Sequence, residues 1–325
     1  WSEAAERPIA GAGASFESGL WSGIAPSDHK MSLVRWAERI EQHQDELALL
    51  ECLDVGKPID NTLNIDVGAA VRTIRWSGEA IDKVYDEIPP TPASSLALVQ
   101  RLPLGVVAAI VPWNFPLSTT AWKLAPALAT GNSVILKPAT NTPLTALRIA
   151  QLAAEAGLPD GVLHVLPGSG GSLGKHLATH MDIDGLTFTG STQVGRILLR
   201  QAADQVMKCS MELGGNAPFL VFDDADLDLA VQGAMASKFR NNGQTCVCAN
   251  RIYVQAGVYD AFAQKLADAV NALKVGDGLE EGTDAGPLIN EKAVVKVQEH
   301  IKDVVDHGGK VVTGGARHSK GGTFF

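Results

Sequence analysis

Residues 105–137, GVVAAIVPWNFPLSTTAWKLAPALATGNSVILK, decide the fold class of this chain. The run 106–111 is uninterrupted and apolar, as expected for a strand buried on both faces of a sheet. Residues 121–129 then have the apolar spacing of a helix, and 133–136 form a second apolar strand. Because strand, helix and strand in this order build parallel sheets, the stretch predicts an α/β fold.

The alternation continues along the chain. We predict a helix over 144–156, with Thr142 as its N-cap and Pro143 at its first position. Strands at 161–166 and 185–189 alternate with helices around His176 and over 192–203. Crossovers of this regularity are right-handed, which predicts a doubly wound, Rossmann-like parallel sheet domain over residues 1–214.

Helices at 33–53 and 67–85 precede this sheet, and a proline-rich segment at 87–104 follows them. Such a segment is usually a simple connection. The alternative is an extended hairpin arm that reaches another subunit of a homo-oligomer.

The alternation of strands and helices begins again after Glu212. Strands at 218–222 and 252–255, helices at 226–239, 258–273 and 293–307, and a strand opening at 311 predict a second α/β domain over 215–325. The chain begins without Met and ends on Gly-Gly-Thr-Phe-Phe. We therefore expect part of a longer protein, with the second domain incomplete.

Composition narrows the class of function. The 325 residues carry a net charge of −9, which argues against nucleic acid or an anionic membrane surface as a partner. Four scattered cysteines are too few for a disulfide framework and favour a reducing, cytoplasmic compartment. Cys246 and Cys248 lack the second ligand pair of a zinc motif, so we expect no metal.

The segment 239–251, FRNNGQTCVCANR, contains the candidate nucleophile. Gly243 permits backbone angles that other residues resist, and a helix precedes it, so Cys246 would lie in a helix-supported loop. The alternative is that Cys246 is a buried small hydrophobe.

Asn114 and Lys137 follow the first two predicted strands. Two prolines restrict the backbone around Asn114, whose amide could stabilise an oxyanion or close a simple Asx turn. A lysine at the carboxyl end of a parallel strand lies where such sheets bind ligands, although it could also be a solvated charge.

The turn from Gly190 through Ser191 to Gly195 joins a strand to a helix and could bind a phosphate. The glycine-rich turn at 168–174 resembles a dinucleotide fingerprint, but its spacing is wrong and we interpret it as a tight turn. Glu212 ends an apolar strand, where desolvation would raise its pKa and suit a general base. A salt bridge at the domain junction is the alternative.

The chain resembles the aldehyde dehydrogenase superfamily over nearly all of its length. The matching motifs occur in the family's order and spacing: Pro112-Trp113-Asn114, Lys137-Pro138-Ala139, Phe188-Thr189-Gly190-Ser191-Thr192, Glu212-Leu213-Gly214-Gly215 and Gly243-Gln244-Thr245-Cys246.

The resemblance implies NAD(P)-dependent aldehyde oxidation. Cys246 attacks the aldehyde, Asn114 and the backbone amide of Cys246 stabilise the oxyanion, and Glu212 activates the water that hydrolyses the thioester. The implied cofactor residues are Trp113, Lys137, Thr140, Gly190, Ser191 and Gly195. Thr140 replaces a glutamate common in NAD-preferring members, so NADP should be tolerated alongside NAD.

The substrate implied by the resemblance differs along the chain. From about residue 188 the chain is similar to succinate-semialdehyde dehydrogenases, in which the counterpart of Arg240 pairs with the substrate carboxylate. Their second arginine would fall at Trp122, which could instead form an aromatic wall. Residues 54–137 look like the ω-aminoaldehyde (γ-glutamylaminobutyraldehyde) branch. A catalytically silent member and a coenzyme A acyl transferase are further alternatives.

Overall fold

The computed structural model describes residues 2–325, with side chains from residue 4 onward. Trp1, at the start of the chain, lies outside the described residues. The chain forms two compact units: one contains the chain up to Glu51 and Leu63–Leu213, and the other Cys52–Thr62 and Gly214–Phe325. Residues 52–62 thus group with the second unit, although they lie within the predicted first domain.

The first unit is built on a five-stranded sheet in which every pairing is parallel, with strand order β3-β2-β1-β4-β5. Its strands are β1 (Val106–Ile110), β2 (Ser133–Lys137), β3 (Leu163–Val165), β4 (Gly185–Gly190) and β5 (Lys208–Leu213). β1 and β2 are buried throughout. Strand order reverses between β1 and β4, and ligands of open α/β sheets bind at such a switch point. The predicted α/β class and parallel sheet are confirmed.

The helices of the first unit are α1 (Ser2–Glu17), α2 (Pro26–Gln42), α3 (Gln44–Val55), which extends into the second unit, α5 (Gly68–Ile81), α6 (Pro116–Ala129), α7 (Leu144–Glu155), α8 (Gly170–Thr179) and α9 (Thr192–Ala202). Apolar residues of α1, α8 and α9 pack on one face of the sheet in a single core with β1, β2 and β4. α6 connects β1 to β2.

The second unit contains a parallel two-stranded sheet of β6 (Ala217–Val221) and β7 (Ala249–Val254). Its helices are α4 (Ile59–Asn61), α10 (Leu227–Lys238), α11 (Tyr259–Asn271) and α12 (Glu291–Asp306). Asp226 caps α10 by accepting hydrogen bonds from the amides of Asp228 and Leu229 at 2.9 and 3.1 Å. Such a cap satisfies amides that the helix itself leaves unpaired.

Several local predictions are wrong. The helix predicted over 33–53 is two helices that break at His43. Thr142 does not cap α7, because Pro143 occupies the cap position without a side-chain hydrogen bond. Residues 311–312 are not in a strand.

The segment 87–104 forms no strand and contains one antiparallel bridge, between Glu87 and Val99. No helix among the described residues is both long and apolar enough to cross a membrane.

Candidate active site

Three of the candidate residues follow neighbouring strands of the first unit. Asn114 lies in the connection after β1, Lys137 ends β2, and Ser191 follows β4 directly. Ile110 of β1 pairs in register with both Lys137 and Phe188, so these strand ends lie at the same level of the sheet. Asn114, Lys137 and Ser191 therefore come from the carboxyl ends of three adjacent strands.

The turn after β4 supplies the anion-binding features expected of it. Ser191 is the N-cap of α9, and its Oγ accepts a hydrogen bond from the amide of Val194 at 3.3 Å. The serine hydroxyl can still donate its proton, and the first amides of a helix have no acceptor within the helix, so the turn suits a phosphate oxygen.

The two glycines of this turn are required by packing. A Cβ on Gly190 would come within 2.4 Å of the Phe188 ring, and one on Gly195 within 2.6 Å of a Leu213 methyl group. Neither position has room for a side chain without displacement of its neighbour. The glycines therefore let α9 start close against the sheet, which keeps the anion-binding amides at its edge.

Lys137 is buried, with 3% of its surface exposed, so the alternative of a solvated charge is wrong. Its Nζ donates to the carbonyl oxygen of Pro138 at 2.9 Å. Burial lowers the pKa of Lys137. A buried amine held at the carboxyl edge is poised to donate to a polar ligand that covers it.

A cavity of about 510 Å³ lies between α6 and the part of the sheet formed by β4 and β5. The polar and charged residues that line it are Lys123, Thr187, Thr189, Ser210 and Glu212, and Trp122 forms part of its wall. Trp122 is exposed. The aromatic side chain and the carboxylate thus share one cavity of the first unit.

Lys123 is a functional candidate that the sequence pattern does not reveal. The side chain is buried, and its Nζ donates to Thr187 Oγ1 at 2.9 Å. Burial lowers the pKa of Lys123 to about 8, an effect partly offset by the charge of Glu212. A cation buried beside the cavity places positive potential where a carboxylate already lies.

Glu212 differs from the prediction. Burial alternates along β5, and Lys208, Ser210 and Glu212 are the exposed residues of that strand. The expected desolvation of Glu212 is therefore wrong for this chain, because its side chain points away from the core that Met211 and Leu213 contact.

The loop that carries Cys246 belongs to the second unit and has an unusual backbone. Asn241, Asn242 and Gly243 have φ angles of 49°, 56° and 74°, so three successive residues are left-handed. Asparagine and glycine are the residues that tolerate this conformation best. The turn leads to Cys246, whose side chain is exposed, so the alternative of a buried small hydrophobe is wrong.

Two side chains hold this turn against the segment 286–289. The Asn242 amide donates to the carbonyl oxygens of Gly286 and Pro287 at 2.9 and 3.0 Å and accepts from the amide of Gly286 at 3.0 Å. Gln244 Oε1 accepts from the amide of Ile289 at 3.1 Å. Side-chain bonds of this kind can maintain a strained backbone, so Cys246 starts from a fixed position.

The remaining two residues of the loop have contrasting environments. Arg240 is exposed at the start of the turn. Cys248 is buried, and its Sγ lies 2.6 Å from Thr245 Oγ1 and within 3.4 Å of the carbonyl oxygens of Lys238 and Gly243. Cys248 is therefore packed into the turn, whereas Cys246 is open to solvent.

A turn at the carboxyl edge of a parallel sheet that suits a phosphate, and an exposed thiol on a fixed turn, are features that a cysteine-dependent dehydrogenase requires. The chain belongs to the aldehyde dehydrogenase family, whose model matches residues 2–325.

Three relatives illustrate the range of the family. The chain is 50% identical over 306 residues to the NADP-dependent succinate-semialdehyde dehydrogenase GabD of Escherichia coli K12, covering 94% of this chain and 63% of GabD. The chain is also 50% identical over 306 residues to the glutarate-semialdehyde dehydrogenase of Pseudomonas aeruginosa, again covering 94% of this chain and 63% of that protein. The structure of P. syringae AldA, an indole-3-acetaldehyde dehydrogenase mutant in complex with NAD+ and IAA, superimposes with a TM-score of 0.97 at 44% identity, covering 99% of this chain and 66% of that one. The chain thus spans about 63% of the length of these two curated relatives.

Proposed function

We propose that the protein oxidises a small aldehyde to its carboxylic acid with NAD or NADP. The exposed Cys246 thiol on its fixed turn carries this proposal, because a chain of this family with an accessible nucleophile has the central group of the reaction. Overall, aldehyde, water and oxidised cofactor give carboxylate, reduced cofactor and two protons.

The steps assigned to the chain's own residues follow from their chemistry. Cys246 as thiolate adds to the aldehyde carbon, and the amide of Asn114 with the backbone N–H of Cys246 stabilises the oxyanion. Loss of hydride from this adduct leaves a thioester on Cys246. Glu212 then takes a proton from water, which attacks the thioester, and the carboxylate leaves as the thiol re-forms.

Several features of the first unit support binding of a dinucleotide. Ser191 and the start of α9 would hold the pyrophosphate, Lys137 the adenosine ribose, and Trp113 would line the same cleft. When bound, the nicotinamide supplies the acceptor for the hydride. Thr140 is exposed, and its hydroxyl donates to the carbonyl oxygen of Gly168 at 3.0 Å. Since no carboxylate stands at this position, a 2′-phosphate meets no repulsion from it, and we propose that both NAD and NADP are used.

We propose succinate semialdehyde as the substrate. The names of two relatives indicate aldehydes that carry a distal carboxylate, and Arg240 is an exposed guanidinium six residues before Cys246. Guanidinium groups bind carboxylates through paired hydrogen bonds. The cavity wall at Trp122 favours the second candidate, an ω-aminoaldehyde, because an aromatic face attracts a substrate ammonium.

The test measures reduced-cofactor absorbance with succinate semialdehyde, 4-aminobutyraldehyde and butyraldehyde, each with NAD and NADP. Arg240→Gln should raise KM for succinate semialdehyde about 10- to 150-fold, the equivalent of a charged hydrogen bond of about 1.5–3 kcal/mol, and leave butyraldehyde unaffected. An equal loss with both aldehydes would contradict the carboxylate role of Arg240.

The Cys246→Ser variant tests the nucleophile itself and should abolish turnover. Full activity in that variant would refute the mechanism, and no signal from wild type with any pair would favour a catalytically silent, cofactor-binding member. Thioester transfer to coenzyme A is the alternative in which water is not the acceptor, and acyl-coenzyme A would then appear as product.

Assembly and compartment complete the proposal. The segment 87–104 exposes several apolar side chains, including Leu96, Leu98 and Leu102, which would be covered in a dimer or tetramer. The cysteines at 52, 209, 246 and 248 are all free, as suits a reducing cytoplasm.

A further inference from the structure

On the face of the sheet covered by α1 and α8, one carboxylate and two imidazoles converge. Glu6 lies on α1, His176 on α8, and His180 directly after α8. Their nearest nitrogen and oxygen atoms all lie within 4.8 Å of one another. We propose that Glu6, His176 and His180 bind a zinc ion that joins the first helix of the chain to α8.

The two histidine–carboxylate distances are close to those of a zinc site, and the ligand atoms of the two histidines lie within 4.8 Å of each other. The Nε2 atom of His176 lies 3.0 Å from Glu6 Oε1, and that of His180 lies 3.2 Å from Glu6 Oε2. Zinc–ligand bonds of about 2.0–2.1 Å in a tetrahedron place neighbouring ligand atoms roughly 3.3 Å apart. One Glu6 oxygen would have to turn toward both imidazoles to complete a three-ligand site, and a water molecule would fill the fourth position of the tetrahedron.

The spacing of the histidines supports the same conclusion. His176 lies in the last turn of α8 and His180 is its C-cap residue, and both imidazoles approach Glu6. Their rings stand edge to face with centroids 5.2 Å apart. Two imidazoles select zinc over magnesium or calcium, which prefer oxygen ligands.

One nitrogen of His176 makes no well-aligned hydrogen bond, which a metal ion could remedy. Its Nε2 atom is shielded from solvent, and its contact with Glu6 does not have hydrogen-bond geometry. Buried polar atoms without a partner are rare and destabilising. A zinc ion would replace the poorly aligned contact with Glu6 Oε1, at 3.0 Å, by a coordinate bond to this nitrogen.

His180 must change its protonated nitrogen for zinc to bind. Its Nδ1 accepts from the amide of Asp182 at 3.1 Å, so in the neutral ring the proton lies on Nε2, facing Glu6. Zinc displaces that proton, and Nδ1 takes one up. The amide of Asp182 would then give up its hydrogen bond to Nδ1, and Asp182 Oδ2, now 4.0 Å away, would have to move closer to accept the new N–H. Carboxylate–histidine–zinc arrangements of this kind orient the ligand.

This proposal differs from the expectation of no metal, which rested on cysteine spacing. The site lies among elements distinct from the candidate catalytic residues, since α1 and α8 contain none of them. Its role would be structural: α1 packs on the sheet through Ala5, Ile9 and Ala12, and zinc would add a bond from its first turns to α8.

The experiment titrates the protein with zinc chloride in competition with a chromophoric chelator. Wild type should bind one zinc ion at this site, with imidazole and oxygen ligands in X-ray absorption spectra. His176→Gln and His180→Gln should weaken binding more than about 100-fold, since loss of an outer partner alone costs about 10- to 100-fold. His300→Gln, which removes an exposed histidine of α12, is the matched control and should bind as wild type does.

Glu6→Gln guards against misfolding, because Glu6 is exposed and its replacement leaves the core intact. This variant should also bind zinc more weakly, with an unchanged circular dichroism spectrum. Zinc binding equal to wild type in both histidine variants, or sulfur in the coordination shell, would overturn the proposal. So would the absence of zinc binding to the wild-type protein.

Discussion

Replacement of Lys123 by methionine should stabilise the first unit at neutral pH. Lys123 is 7% exposed, and its ammonium lies next to a threonine hydroxyl rather than in an ion pair at contact distance. Methionine has a similar length without a charge, so Lys123→Met removes the cost of burying the charge and keeps most of the packing.

The magnitude follows from the pKa of this side chain. Burial lowers the pKa of Lys123 from 10.5 to about 8. A difference of this size corresponds to about 3 kcal/mol in favour of the unfolded state at pH 7. Loss of the hydrogen bond to Thr187 offsets about 1 kcal/mol of the gain. The variant should therefore be more stable by about 2 kcal/mol, or about 4–8 °C in Tm for a unit of this size.

The pH dependence of folding stability distinguishes removal of the buried charge from a general change in packing. Between pH 8 and pH 10.5 the unfolded lysine holds a proton that the folded one has lost, so wild-type stability rises with pH across this range. Lys123→Met lacks that rise, so the two stabilities should cross within this range, and wild type should be the more stable by about 1 kcal/mol above pH 10.5 because it keeps the hydrogen bond to Thr187.

Thermal unfolding followed by circular dichroism at several pH values measures both effects. Lys30→Met is the control in which stability should change in the opposite direction, since a hydrogen bond with Asp82 raises the pKa of Lys30. Its contribution is present below pH 10.5 and is lost as pH rises through the raised pKa. A Lys123→Met protein that is no more stable than wild type at pH 7, with a parallel pH profile, would refute the reasoning.

Three further outcomes are expected. Thr140→Glu should raise KM for NADP at least about tenfold relative to NAD, because it introduces a carboxylate near the 2′-phosphate; a hundredfold preference for NAD already in wild type would contradict the premise. Asn242→Ala should destabilise the turn by about 2–3 kcal/mol through lost hydrogen bonds and a left-handed alanine, and change the rate of Cys246 alkylation by iodoacetamide; an unchanged rate would show that the turn does not position the thiol. Cys248→Ala should lose the peroxide sensitivity of turnover if a Cys246–Cys248 disulfide inactivates the enzyme, and unchanged sensitivity leaves Cys248 as a packing residue.

The sheet could be predicted from sequence because its signals are local and redundant. The central strands are buried throughout, and their apolar runs at 106–110 and 134–136 are typical of strands covered on both faces of a sheet. Local capping is less secure: Thr142 has the right chemistry for a helix N-cap, yet the backbone places Pro143 there. One side-chain hydrogen bond is a weak determinant of where a helix begins, and tertiary packing can outweigh it.

The candidate site likewise has some features that the sequence predicts and others that it does not. The left-handed turn before Cys246 could be predicted from its residue types, since Asn and Gly tolerate left-handed angles. Those residue types alone do not decide whether the thiol is exposed. The burial of Lys123 has no such local signal, because a lysine among apolar helix residues usually extends its ammonium into water. Exposure of Glu212 depends on what covers β5, which strand alternation alone does not specify.

The turn at Asn242 and Gly243 has a consequence for the ageing of the protein. Asn-Gly is a dipeptide prone to deamidation, in which the glycine nitrogen attacks the asparagine side-chain carbonyl to form a cyclic imide. In the folded chain three hydrogen bonds immobilise that side chain, so the attack is hindered. Once unfolded, the dipeptide can react, and reopening of the imide inserts an extra backbone atom into the turn before Cys246. Heat inactivation would then become irreversible chemically as well as through aggregation.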